Sequence, residues 1–99
     1  METRILNEQN RKNFHEYLIR EEKSVATVEK YLRDTQAFLT FAEGHQVTKE
    51  LVKAWKESLM AANYAPRSVN SMLASLNSLL EFQGWEDCKV KNLKIQKQT

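Results

Sequence analysis

The sequence predicts an all-α fold, a small domain of four helices. Three observations predict it. Apolar residues recur at three- and four-residue spacing in four separate segments. The 99 residues include only two Gly and one Pro, against 41% apolar residues and nine aromatics, which favours a compact helical chain over a sandwich or disorder. No segment sustains the strict alternation of a half-buried strand. A chain of this length is one domain and buries roughly 60–65% of its unfolded surface.

The first helix is expected from about Glu8 to Glu22, with Asn7 as N-cap and Phe14, Tyr17 and Leu18 as its apolar stripe. The second runs from about Val25 to Glu43. Ser24 caps it, Val28, Tyr31, Leu32, Thr35, Phe38, Leu39 and Ala42 repeat at helical spacing, and Gly44 supplies the glycine stop. The third runs from about Lys49 to Ala62. Thr48 is its N-cap, Glu50 complements its positive end, and Leu51, Val52, Trp55, Leu59 and Ala62 form the stripe. Asn63-Tyr64-Ala65 connects it to the fourth helix. Pro66 fits the first turn there, because its missing N–H costs nothing at that position. The fourth helix runs to about Gln83 and stops at Gly84, with Val69, Met72, Leu73, Leu76, Leu79, Leu80 and Phe82 toward the core. From Trp85 onward no period is visible, so an extended or short helical tail is expected. Short connections keep neighbouring helices adjacent.

The formal net charge of +2 is small, but it is unevenly placed. Residues 1–50 carry 8 basic and 9 acidic residues, whereas residues 51–99 carry 7 basic and 4 acidic. Lys89, Lys91, Lys94 and Lys97 follow Cys88 with no acid among them. The single cysteine excludes an internal disulfide and fits a reducing, cytoplasmic location. No apolar run approaches the ~18 residues of a membrane span. The start, Met1-Glu2-Thr3-Arg4, has no signal-peptide h-region.

Catalytic inventories come up short. His15 and His45 lie on different segments with no His or Cys at helical spacing, so no metal site is expected. Cys88 has Lys89 beside it but no placed His. Two glycines cannot build a phosphate loop, and no carboxylate pair stands out, so no cofactor is expected. Tyr17 and Tyr31 sit on apolar stripes and read as core residues with a hydroxyl at the edge. Tyr64 is placed either to staple the fourth helix or to touch a partner.

The sharpest feature is the helix that Tyr64-Ala65-Pro66-Arg67-Ser68-Val69-Asn70 opens. From Ser58 to Leu80 there is no Asp or Glu, in a chain with 28% charged residues. Arg67, Ser68, Asn70, Ser71, Ser75 and Ser78 make its polar side. Ser and Asn are weak helix formers. A face of hydroxyls, amides and an Arg without carboxylates suits a phosphate backbone, and it also suits a plain Ser-rich solvated or packed face. The start of the second helix has similar chemistry in Lys23, Ser24, Thr27 and Lys30, with Arg33 near one turn beyond. Both helix starts offer free N–H groups and a positive dipole end.

In helix two, Ser24-x-x-Thr27-x-x-x-Tyr31-x-x-Asp34-x-x-x-Phe38 resembles the opening motif of the SAM-like, core-binding domain of tyrosine recombinases, the phage integrases. Thr48, Leu51, Val52, Trp55 and Leu59 are similar to the next segment. Tyr64 to Asn70, followed by Leu73, Leu76, Leu80 and Phe82, resembles the turn and fourth helix. The resemblance covers roughly residues 8 to 95. It implies a four-helix half-clamp whose second and fourth helices face duplex DNA. Residue by residue it points to Ser24, Thr27, Lys30, Arg33, Arg67, Ser68, Asn70, Ser71 and Ser75 as DNA contacts, with Tyr31, Phe38, Trp55 and Leu76 in the core. One departure is the tail Val90-Lys91-Asn92-Leu93-Lys94, which lacks the proline that often precedes the family's interdomain linker.

The resemblance also implies that the attacking tyrosine and its partners belong to a separate downstream domain of the same polypeptide. The chain is then a DNA-binding domain over residues 1–88, with 89–99 starting a basic linker. It would bind duplex DNA as a monomer, without a cofactor, and would do no chemistry alone. The competing reading is a helical protein-interaction module. An enzyme acting alone ranks third.

Overall fold

A computed structural model describes residues 4–94. The described residues form four α-helices and one 3₁₀ turn: α1 (Glu8–Arg20), α2 (Val25–Ala42), α3 (Lys49–Ala61), α4 (Pro66–Gln83) and the turn Glu86–Cys88. No strand occurs among them. Each predicted helix is present, with ends moved by no more than two residues.

Local chemistry sets the starts. Asn7 Oδ1 accepts the Asn10 N–H at 3.0 Å while Asn10 Oδ1 accepts the Asn7 N–H at 2.9 Å, a reciprocal capping box. Ser24 Oγ accepts the Thr27 N–H at 3.2 Å, and Thr48 Oγ1 accepts the Leu51 N–H at 3.1 Å. The α4 start differs. Pro66 occupies the first turn, and Ala65 at the N-cap offers no side-chain acceptor. At the far ends, α2 closes through a left-handed turn that begins at Glu43, one residue before Gly44, and α4 closes at Gly84 with φ +78°.

The core is centred on α4. Val69, Leu73, Leu76, Leu79 and Leu80 are fully buried there. They meet Phe14 and Leu18 of α1, Val28 and Phe38 of α2, and Val52, Trp55 and Leu59 of α3. The rings form two groups. Tyr17 and Phe82 lie 4.7 Å apart beside Phe14, and Phe38 meets Trp55 edge-on at 5.4 Å. Tyr17 and Tyr31 are half-buried against the core, as their stripe positions predict.

Five residues outside the helices complete the core: Leu6, Val47, Trp85, Cys88 and Val90 are all buried. Periodicity cannot find such residues, because they sit in irregular backbone. Arg4 donates to both Asp87 carboxylate oxygens at 2.8 and 2.9 Å, and the Val47 N–H bonds the Arg4 carbonyl at 2.6 Å. The first and last described segments are thereby fastened to one another. Packing continues past Cys88, where Val90 is buried and Leu93 lies on the core.

Candidate nucleic-acid interface

α2 and α4 are joined by a polar cluster within their interface. Lys30 Nζ donates to Asp34 Oδ2 at 2.5 Å, and Ser75 Oγ donates to the same oxygen at 2.7 Å. Lys30 also reaches the Ser71 carbonyl at 3.3 Å. Asp34 is 5% exposed and Ser75 0%. A buried carboxylate is tolerated only when it is paired and hydrogen-bonded, and this one has both kinds of partner. Along α2 the joint runs from 30 to 34 and along α4 from 71 to 75, so the two helices have the same sense there. Each N-cap lies about six residues before the joint, or ~9 Å along its own axis. Both helix starts therefore emerge at the same end of the domain.

The predicted contact residues divide into three groups. Ser24, Arg67 and Ser68 are exposed at this end, and Arg33 is exposed midway along α2. Among the described residues, Arg33, Arg67 and Ser68 have no side-chain hydrogen bond or ion pair, while Ser24 also donates to Thr27 Oγ1 at 2.9 Å. Thr27 and Ser71 are half-buried. Ser75, Lys30 and Asn70 are engaged internally. Ser75 is fully buried on Asp34, so it cannot meet a duplex from this position. The Lys30 ammonium is turned onto Asp34. Asn70 spends both ends of its amide on the C-terminal segment: Nδ2 donates to the Leu93 carbonyl at 3.1 Å, and Oδ1 accepts the Leu93 N–H at 2.6 Å. The polar side of α4 read from the sequence thus splits into an outward strip, a seam against α2 and a seam against the tail.

The tail runs beside α4 and α3. Asn77 Nδ2 donates to the Val90 carbonyl at 3.3 Å, and Lys56 Nζ donates to the Lys91 carbonyl at 2.7 Å. A groove lined by Lys49, Lys53, Lys56, Val90 and Lys91 opens between this segment and α3. These lysines were not among the predicted contacts. Their signal was present in the spacing, since 49, 53 and 56 share one helical face. Lys89 pairs with Glu81, which removes one tail lysine from the free set.

Two titrating groups are shifted. The Arg4 guanidinium holds the Asp87 carboxyl below the usual range, and burial pushes the Cys88 thiol above its usual range. A buried thiol with a raised pKa is a poor nucleophile. Among the described residues, no group of three or more His, Cys, Asp or Glu side chains is gathered to hold a metal ion. No described helix is long and apolar enough to cross a membrane.

The family model described as phage integrase, N-terminal SAM-like domain, matches residues 12–87. Neither the curated proteins nor the solved structures give a match.

Proposed function

The chain belongs to the family of phage integrase N-terminal SAM-like domains, and from that premise we propose that it grips duplex DNA with the starts of α2 and α4, mainly through the phosphate backbone. The family ties the chain to DNA recombination of the tyrosine-recombinase type, and this domain of integrases is non-catalytic. In our reading the catalytic domain lies downstream in the same polypeptide, and the isolated domain is a monomer.

One observation carries the reading. Two helix starts emerge together, and the outward side of α4 from Arg67 to Ser78 has no carboxylate. The α4 start has no side-chain cap, so the Arg67 and Ser68 N–H groups that follow the proline have no capping acceptor. Asp34 lies behind this surface, but its charge is compensated by Lys30. Arg67 and Lys23 are exposed cations beside the helix starts, and Arg33 is an exposed cation further along α2. Hydroxyls and backbone N–H groups would add position rather than sequence preference.

If about four phosphates are neutralised, affinity falls roughly a hundredfold between 50 and 200 mM salt. Arg67→Glu should weaken duplex binding and flatten that slope. An NMR titration with a duplex should move resonances at the starts of α2 and α4. Shifts confined to α1 or α3 would overturn the reading.

A protein-interaction role rests on a separate observation. Ile19 and Val25 are 58% and 74% exposed beside a groove that also includes His15, Val28 and Leu32. That role predicts shifts there with a protein partner and silence with DNA.

A further inference from the structure

We propose that the lysine groove between α3 and the C-terminal segment is a second contact for the phosphate backbone of duplex DNA, continuing the surface that begins at Arg67. The inference rests on the reading of the α4 start as a DNA contact and extends it to residues that reading does not use.

Lys49, Lys53 and Lys56 occupy one face of α3, at successive spacings of four and three. Lys91 lies across the groove from them. Among the described residues, no carboxylate pairs with any of these four lysines. Glu50 and Glu57 lie three residues before and four after Lys53, yet neither forms an ion pair with it. Asp87 is the acid near Lys49, and both its oxygens are taken by Arg4. Four like charges lining one groove repel each other, and an anionic partner relieves that repulsion. Lys56 also fixes the groove wall by holding the Lys91 carbonyl. The groove of about 280 Å³ has room for a phosphodiester and some of its water, at ~30 Å³ per water.

Position makes the groove continuous with the α4 start. The tail lies antiparallel to α4, with Val90 at Asn77 and Leu93 at Asn70. Asn70 is three residues from Arg67, so Lys94 comes down beside that arginine. From there the lysines lead back through Lys91 and Lys56 to Lys49. The α3 stretch alone spans ~10 Å. Lys49 lies by Asp87, beyond the C-terminal end of α4, so the lysines run along the side of the domain away from the α4 start, and a duplex laid along that side would meet both surfaces.

The test compares two variants of the whole chain on one short duplex across a salt series. Lys49→Glu/Lys53→Glu should weaken binding about tenfold or more at low salt and reduce the salt slope by about 2. Both side chains are exposed, and far-UV dichroism should confirm an intact fold. Lys49→Gln/Lys53→Gln should fall between the parent and the reversal. Unchanged affinity and slope in both lysine variants, while Arg67→Glu weakens binding, would overturn this inference and leave the α4 reading standing. Unchanged binding in all three variants would overturn both. Weakening in the lysine variants alone would keep the groove as a DNA contact and remove the α4 start.

Discussion

Asp34 shows how one residue changes meaning between sequence and structure. In sequence it is part of a motif, and in the structure it is the buried carboxylate that locks α2 to α4. The rest of that motif is also largely architecture. Ser24 caps, Thr27 receives the cap, and Tyr31 and Phe38 pack. Ser75 belongs with them, as a hydroxyl donor to Asp34 in a fully buried site. Ser75→Ala removes that donor and should cost about 1–3 kcal/mol, read from urea unfolding. Arg67→Glu touches no buried group and should stay within about 0.5 kcal/mol of the parent in the same measurement. A residue that loses DNA affinity only through lost stability is thereby separated from one that acts on the ligand directly.

At the scale of elements, the helices were legible because each carries its own start and stop. Asn7, Ser24 and Thr48 cap where their types suggest, Pro66 opens α4 and Gly84 closes it. The candidate site was less legible. Sequence spacing puts Arg67, Asn70, Ser71 and Ser75 on one polar helix, but it cannot say which flank meets α2, which meets the tail and which meets solvent. That partition depends on packing between distant segments, 41 residues apart for Ser75 and Asp34 and 23 for Asn70 and Leu93. Caps provide the matching prediction. Thr48→Ala and Ser24→Ala should each cost about 1 kcal/mol of stability. Ser24→Ala should also weaken duplex binding and Thr48→Ala should not, as read by thermal melts and a duplex titration in parallel.

At the scale of the whole molecule, the ends of the described chain are tied together by Arg4 and Asp87, with Arg4 also 5.7 Å from the centre of the Trp85 ring. The hydrogen bond from Arg4 lowers the Asp87 pKa. A lowered folded-state pKa means that the stabilising effect is present above the ordinary carboxylate value near ~3.9, and is lost as pH falls through the lower folded value. Acidification through that lower value, below the ordinary carboxylate range, should therefore release Arg4 and change Trp85 fluorescence. Asp87→Asn should show no such step. The same step in the variant would mean that another group governs the release.

Asn70 carries a consequence for how this surface can be used. Its amide already holds the Leu93 backbone at both its N–H and its carbonyl. The amino group carries two N–H donors, so one stays with the Leu93 carbonyl and the second can be offered to a ligand. A docked tail fixes the amide plane and with it the direction of that second donor. The C-terminal segment thus acts as a splint for Asn70, and a ligand that uses the second N–H in that direction would favour the docked tail. Linkage makes the support mutual.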